Sequence, residues 1–322
     1  MTDTKHLTGQ PGEQLVGHLD ASRLRGELLY NEAMGRHTSW RVGGPADVYY
    51  KPADVDDLAC LLAQVADDEP LFWFGLGSNL LVRDGGIRGI VIATSGMLNG
   101  LEYLDNGLVR AEAGVPCPKV ARFCGRQGLV GAEFLAGIPG TMGGALAMNA
   151  GAFGGETWPL VQAVETLDSQ GRRHLRTADE YEVAYRHVRG PAGEWFIAAH
   201  LSLQAGDAGA SQARIKQLLE QRGDTQPTGL PSGGSVFRNP EGDHAGRLIE
   251  VSGLKGFCIG AACVSEKHAN FFINTGTATA SDIETLIEHV QAVVESQQGV
   301  RLVPEVHIVG ARPVDNEGQV DG

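Results

Sequence analysis

The sequence predicts an α+β protein, with many short strands in the first two-thirds and a smaller α/β piece after them. Three observations carry this expectation. Short apolar or alternating runs recur between turn residues up to about residue 203. A small, polar stretch from Gly206 to Ser211 then marks a boundary. Beyond it lies the best helical pattern of the chain, with Ile283, Leu286, Ile287, Val290, Val293 and Val294 on one face and Gly299 at its end.

Residues 1 to about 26 read as a loose polar tail without a signal-peptide pattern. Glu27 to Met34 is expected to be a short helical entry. A turn at Gly43-Gly44-Pro45 leads into a strand, Ala46 to Tyr50. Val55 to Ala66 is amphipathic, with Leu58, Leu61, Leu62 and Val65 on one side. A strand from Pro70 to Phe74 follows, then a strand pair, Leu80 to Arg83 with Ile87 to Ile92. Asn106-Gly107 is a hairpin dipeptide inside Leu101 to Ala113. Lys119 to Gln127 is a helix. Val161 to Leu167 and Arg173 to Leu175 form a further pair, and Trp195 to Leu203 another strand.

After the boundary, Ser211 is expected to cap a helix with Ile215, Leu218 and Leu219. Asp243 caps a helix that Gly253 stops. Strands follow near Gly260 to Val264 and Ala269 to Asn274. Ser281 caps the long helix, and Val300 to Val309 closes as a strand.

The chain has 322 residues and a net charge of −13. That balance argues against nucleic acid or an anionic membrane as partner. No apolar run reaches membrane-spanning length, so no membrane insertion is expected. The five cysteines, Cys60, Cys117, Cys124, Cys258 and Cys263, are scattered without a CxxC pair or zinc-ligand spacing. They read as reduced thiols of a cytoplasmic protein with no metal site.

Seven of the twenty residues from Ala136 to Gly155 are glycine, and none is charged. The glycines alternate with Ile, Met, Leu, Ala and Phe rather than with the serines of a linker. The stretch reads as a packed loop whose backbone approaches an anion closely, a phosphate-bearing cofactor above all. A tight turn cluster in a β-rich core is the bland alternative. Gly75-Leu76-Gly77-Ser78-Asn79-Leu80 begins like a dinucleotide fingerprint, but Leu80 replaces the third glycine and strands follow instead of a helix. A Rossmann site is therefore rejected, although Ser78, Asn79 and the backbone can still bind phosphate.

Three polar positions stand out beyond the glycines. Ser235 follows Gly233-Gly234 but is no nucleophile elbow, since Phe237 stands where glycine is needed. Tyr185-Arg186 ends a polar segment. Glu305 interrupts the apolar run Leu302-Val303-Pro304-Glu305-Val306. Each has an ordinary reading as well: loop serine, surface charge, exposed face of a strand.

Eight stretches in order give the chain a resemblance from about Asn31 to Gly310. They are His37 to Pro45, Gly75 to Leu81, Ala136 to Gly140 with Gly143-Gly144 and Asn149 to Ala152, Tyr185-Arg186, Gly234 to Pro240, Ala245 to Glu250, Val264 to Asn270, and Pro304 to Val306. Together they resemble the UDP-N-acetylenolpyruvoylglucosamine reductase family. The 49 positions from Arg186 to Ser235 fit its shorter form, which lacks an inserted tyrosine-bearing loop.

The resemblance implies a two-lobed FAD-binding region of the vanillyl-alcohol-oxidase type over 27–208, with lobes of about 27–103 and 104–208. A substrate-binding domain over 209–312 and a tail over 313–322 would follow. It implies noncovalent FAD, NADPH as hydride-donating co-substrate, UDP-N-acetylglucosamine enolpyruvate as substrate, and a cytoplasmic monomer serving peptidoglycan precursor synthesis. Gly75, Gly77, Ser78, Asn79, Gly137, Ile138, Gly140, Gly143, Gly144, Asn149 and Gly151 would hold the cofactor. Arg186 and Glu305 would stabilise the enolate formed when hydride adds to C3, with Glu305 protonated. Ser235 would give the proton to C2. Tyr185, Arg222, Asn239 and His268 would contact substrate. The family's usual basic residue before the Gln-Pro pair is Thr225 here, which leaves Arg222 as the nearest cation.

Two rival readings remain open from the residues. One is a flavin oxidase, with His37 as a candidate covalent tether. The other is a nucleotide-sugar binding module without chemistry.

Overall fold

The computed structural model describes residues 19–66 and 68–313, so the first part of the expected N-terminal tail and the end of the C-terminal one lie outside the described residues. The first lobe holds β1 (Glu27–Ala33), β2 (Pro45–Lys51), α1 (Val55–Leu62), β3 (Leu71–Phe74), β4 (Leu80–Val82) and β5 (Ile87–Ala93). Its sheet has the order β1-β2-β5-β3. Asp54 caps α1 by accepting from Asp57 N–H. Leu58, Leu61 and Leu62 are fully buried with Val48, Tyr50, Ile90 and Ile92 of the sheet. Each such leucine contributes about 1.5–3 kcal/mol of burial.

Two expectations fail in this lobe. Glu27 to Met34 is not helical: it is an edge strand, antiparallel to β2 from Glu27 opposite Lys51 to Ala33 opposite Pro45. A ready ladder outweighs weak local propensity. Leu80 to Arg83 and Ile87 to Ile92 are strands but not each other's partners. Strand β5 inserts parallel between β2 and β3, and β4 leaves the sheet altogether.

The second lobe holds β6 (Leu101–Tyr103), β7 (Leu108–Glu112), α2 (Cys117–Arg126), α3 (Met142–Ala147), β8 (Val161–Asp168) and β9 (Arg173–Thr177). A separate hairpin, β10 (Glu182–Ala184) with β11 (His187–Arg189), precedes β12 (Glu194–Ser202). The antiparallel sheet has the order β9-β8-β12-β7-β6. One face packs Val109, Ala111, Val164 and Leu201 against Val120, Cys124 and Leu146. The other carries charge, with Arg110 forking onto Glu165 and His200 2.7 Å from the same carboxylate. The long α4 (Ala208–Thr225) follows, capped by Asp207 rather than Ser211. Ser211 is buried within the helix and donates to Glu133. Ile215 belongs to the core of the second lobe.

The last part holds β13 (Ser232–Ser235), α5 (Ala245–Val251), β14 (Cys258–Ile259), β15 (Ala262–Val264), β16 (Phe271–Asn274), α6 (Ala280–Gln298) and β17 (His307–Val309), with sheet order β13-β16-β15-β14. Ile283, Leu286, Ile287, Val290 and Val294 of α6 are buried with Val264 and Phe272. Thr279 and Asp282 form the capping box of α6. Ser281, the expected cap, instead donates its N–H and hydroxyl to Asp84 of the first lobe. Gly299 ends the helix at φ +70°. Helix α5 begins after His244, and Asn239 Oδ1 accepts the Ala245 N–H, so Asp243 is not its cap.

The strand expected over 300–309 shortens to β17, because Pro304 has no N–H to give. That strand returns to the first lobe and pairs parallel with β4, His307 opposite Leu80. A second tie runs from the segment between β1 and β2. Trp40 is fully buried in the last core and donates its indole N–H to the Phe272 carbonyl at 2.8 Å.

The cysteine expectation needs one correction. Cys258 and Cys263 face each other across the β14–β15 hairpin and form a disulfide, whereas Cys60, Cys117 and Cys124 are free. Spacing alone could not give the pairing, which depends on a hairpin register. Among the described residues no helix is long and apolar enough to cross a membrane.

Candidate active site

The glycine loops of both lobes, the β10–β11 tip, β13 and the segment before β17 converge on one cleft. It has a volume of ≈ 290 Å³ and opens beside a second hollow of ≈ 480 Å³, with Ser78, Arg222, Gln226, Gly234 and Phe271 lining both. Arg186, Ser235 and Glu305 all line the cleft, as do Ser78, Asn79, Gly137, Ile138 and Gly151.

Local pairing explains how Ser235 and Glu305 meet. The Val236 carbonyl accepts from Glu305 N–H at 2.7 Å, and Arg238 N–H donates to the Val303 carbonyl at 2.9 Å. Ser235 also sits opposite Phe271 in the sheet. The two glycines before it are structural necessities. A Cβ on Gly233 would lie 2.5 Å from the Trp40 ring, and Gly234 has φ +75°. The Ser235 hydroxyl makes no hydrogen bond to the protein among the described residues.

Arg186 occupies a two-residue turn between Ala184 and His187 with φ +54°. A non-glycine residue pays about 1–2 kcal/mol there. Its guanidinium is held by three acceptors: Nε to Glu305 Oε1 at 2.9 Å, Nη1 to the Asn149 carbonyl at 3.3 Å, and Nη2 to the Gly151 carbonyl at 2.9 Å. Burial pushes the Glu305 carboxyl above its ordinary pKa, against the opposing pull of Arg186 and Arg238. Asn79 fixes the same segment by donating to the Glu305 carbonyl at 3.1 Å. The arrangement puts a fixed cation, a carboxyl biased toward its protonated form and an open hydroxyl on one small space.

Arg222, near the end of α4, reaches both hollows and hydrogen-bonds Gln226 Oε1 through Nε at 3.0 Å. Burial lowers its pKa, and among the described residues it has no acidic partner. Three expected substrate contacts do not line the cleft. Asn239 caps α5. His268 is half-buried and accepts from Asn270 N–H, and burial lowers its pKa. Tyr185 lies under the Arg186 guanidinium, 5.0 Å from its ring centre, and lines a separate hollow.

Among the expected cofactor residues, Asn149 uses its side chain internally, to Glu156, Ala184 and Trp158. Gly75, Gly143 and Gly144 line a third hollow of ≈ 300 Å³ between the lobes. Trp73, Trp195 and Tyr181 wall it, with the two indoles stacked at 5.2 Å. Trp73 Nε1 and Tyr181 Oη are buried there without a partner among the described residues. Orphaned polar groups on aromatic walls fit a flat heteroaromatic ring. These aromatic residues were missed in the sequence, because they meet only when the lobes pack. Three features therefore suit FAD: an aromatic slot, backbone-lined glycine loops and a polar cleft. His37 offers no tether, since Glu32 engages Nε2 at 2.8 Å and the Tyr49 hydroxyl engages Nδ1 at 3.3 Å.

Comparison with known proteins agrees with this geometry. Residues 46–175 match the family described as an FAD binding domain. Residues 226–309 match the UDP-N-acetylenolpyruvoylglucosamine reductase C-terminal domain. The UDP-N-acetylenolpyruvoylglucosamine reductase of Alkalilimnicola ehrlichii is 63% identical over 88% of this chain and 95% of its own. That of Methylococcus capsulatus is 60% identical over 90% and 95%. The crystal structure of the Thermus caldophilus reductase superposes with a TM-score of 0.74 at 31% identity, covering 88% of this chain and 99% of that one. With the FAD-binding lobes, the reductase C-terminal domain and relatives of such identity along nearly its whole length, the chain belongs to the UDP-N-acetylenolpyruvoylglucosamine reductase family, the FAD-dependent oxidoreductases of peptidoglycan precursor synthesis.

Proposed function

We propose that the chain reduces the enolpyruvyl group of its UDP sugar in the cleft between β13, the β10–β11 tip and the Pro304-Glu305-Val306 segment. FAD bound there would supply the hydride for C3, with NADPH as its source. Negative charge then builds on C2 and the adjoining carboxylate. The Arg186 guanidinium neutralises it, and protonated Glu305 donates a hydrogen bond to it. Ser235 gives its proton to C2, and the serine oxygen regains one from solvent through the open cleft. Enolpyruvyl ether, hydride and proton sum to the lactyl ether, so nothing else is consumed.

One observation carries the reading: Arg186, Ser235 and Glu305, from three distant segments, line a single cleft, with Arg186 and Glu305 2.9 Å apart. Arg222 is proposed to hold the substrate diphosphate. Ser78, Gly137, Ile138, Gly140 and Gly151 would hold the cofactor's diphosphate end, while Gly75, Gly143 and Gly144 open the aromatic slot. Gly77 and Asn149 would shape these loops. Tyr185, Asn239 and His268 remain substrate contacts on family resemblance alone. The division into an FAD-binding region over 27–208 and a substrate domain over 209–312 is proposed with α4 as the connecting helix. A cytoplasmic monomer is the matching cellular proposal.

Ser235→Ala tests the assignment. Bleaching of the flavin by NADPH without oxygen should stay near the wild-type rate. Reoxidation by the UDP sugar should slow by about 10²- to 10⁴-fold, the loss expected for a positioned acid. Ser235→Cys should keep more activity than alanine. Equal slowing of both phases, or of neither, defeats the role.

A further inference from the structure

A second guanidinium stands behind the cleft. Arg238 follows Ser235 by three residues, and its own N–H belongs to the pairing that seats Ser235 beside Glu305. Its side chain turns back toward the β10–β11 hairpin, where Nη2 donates to the Arg186 carbonyl at 3.3 Å. Its Nε is buried without a partner among the described residues. No carboxylate pairs with it among the described residues, and it does not line the cleft.

The carbonyl it holds belongs to the strained residue of the turn. The hairpin pairs only with itself, and most of its residues are exposed. Contacts from elsewhere must therefore keep a left-handed arginine in place. The Asn149 and Gly151 carbonyls and Glu305 hold the guanidinium end of Arg186; Arg238 holds the backbone end.

We propose that Arg238 is a positioning residue for the reduction: it clasps the Arg186 turn from the opposite domain and sets a second positive charge behind Glu305. The pair Arg186–Glu305 thereby stays aimed into the cleft. This rests on the roles proposed above for those two residues.

The charges that face Glu305 are Arg186 and Arg238, and both oppose the effect of burial on its acidity. Asn79, uncharged, binds its carbonyl. His307 stands two residues along the chain, and burial together with the Arg238 charge lowers its pKa. Loss of the Arg238 charge lets burial count for more, so Glu305 keeps its proton to a higher pH. Where protonated Glu305 is the active form, the alkaline limb of kcat moves upward.

The test compares R238M, R238K and R238Q with E305A in the flavin-loaded enzyme, alongside flavin content and melting temperature. R238M should lower kcat about 10- to 100-fold, the scale of a small misplacement, with less change in KM for the UDP sugar. Its alkaline limb should lie above the wild-type limb. R238K keeps the charge without the fork and should restore the limb while recovering only part of kcat. If methionine does not fold, R238Q carries the same comparison. A wild-type kcat and limb in R238M, or a loss that R238K shares in full with the limb unmoved, overturns the proposal. E305A separates the two levels: normal turnover there sinks the role of Glu305 itself, whereas a slow E305A beside a normal R238M sinks only the clasp.

Discussion

Arg222 shows how a single side chain can mark a ligand that is itself anionic. A cation withdrawn from water without a carboxylate is costly, and a bound phosphate would relieve that cost. Arg222→Ala should raise KM for the UDP sugar about 10-fold or more, since a charge-assisted hydrogen bond contributes about 1.5–3 kcal/mol. NADPH-driven bleaching should be untouched, and Arg222→Lys should recover part of the loss. An unchanged KM would make Arg222 a bystander. Helical phase explains why the cation at 222, rather than the residue at 225, faces the cleft. Thr225 is exposed and bonds back to the Gln221 carbonyl, while Arg222, three residues earlier, turns toward the cleft. Motifs singled out Arg186, Ser235 and Glu305, and the fold brings all three to one cleft. They could not tell that Asn239 spends its side chain on a cap or that Asn149 spends its own on Glu156 and Trp158. Those commitments depend on neighbours that only the fold supplies.

At the scale of elements, the loop from Gly137 to Gly151 makes the sharpest claim about the cofactor. A Cβ on Gly140 meets nothing closer than Ile138 Cγ2 at 3.6 Å and Ser78 Oγ at 3.7 Å, so a side chain fits there. Gly140→Asp should therefore fold, with a melting temperature near that of flavin-stripped wild type, yet purify colourless because its carboxylate repels the diphosphate. A folded variant that stays fully yellow refutes the placement. Elements with strong local signals were legible: α1, α2 and α6 to within a few residues, and the Asn106-Gly107 hairpin. The failures share a cause. Strand β1 looked helical, β4 and β5 looked like a pair, and three helix caps were misplaced by up to four residues. In each case a distant partner decided: β2 for β1, Asp84 for Ser281, Glu133 for Ser211.

Across the whole molecule, the C-terminal part is bound back onto the first lobe at several places, among them Trp40 on Phe272, Ser281 on Asp84 and β17 on β4. A chain stopped after Val306 should lose β17, bare the β4 edge and melt about 5 °C or more below one stopped after Pro313. Equal melting temperatures for the two would show that the strand adds nothing. No local pattern could reveal this tie, since Arg83 and Gly310, hydrogen-bonded beside it, lie 227 positions apart. The same tie governs the order in which the molecule can be made. A ribosome working from the first residue releases β4 long before its partner exists. Until residue 309 has left the exit tunnel, the edge of β4 has no strand to take. The first lobe is therefore completed only once β17 has emerged, and its open edge is what a chaperone attending the nascent chain would have to cover.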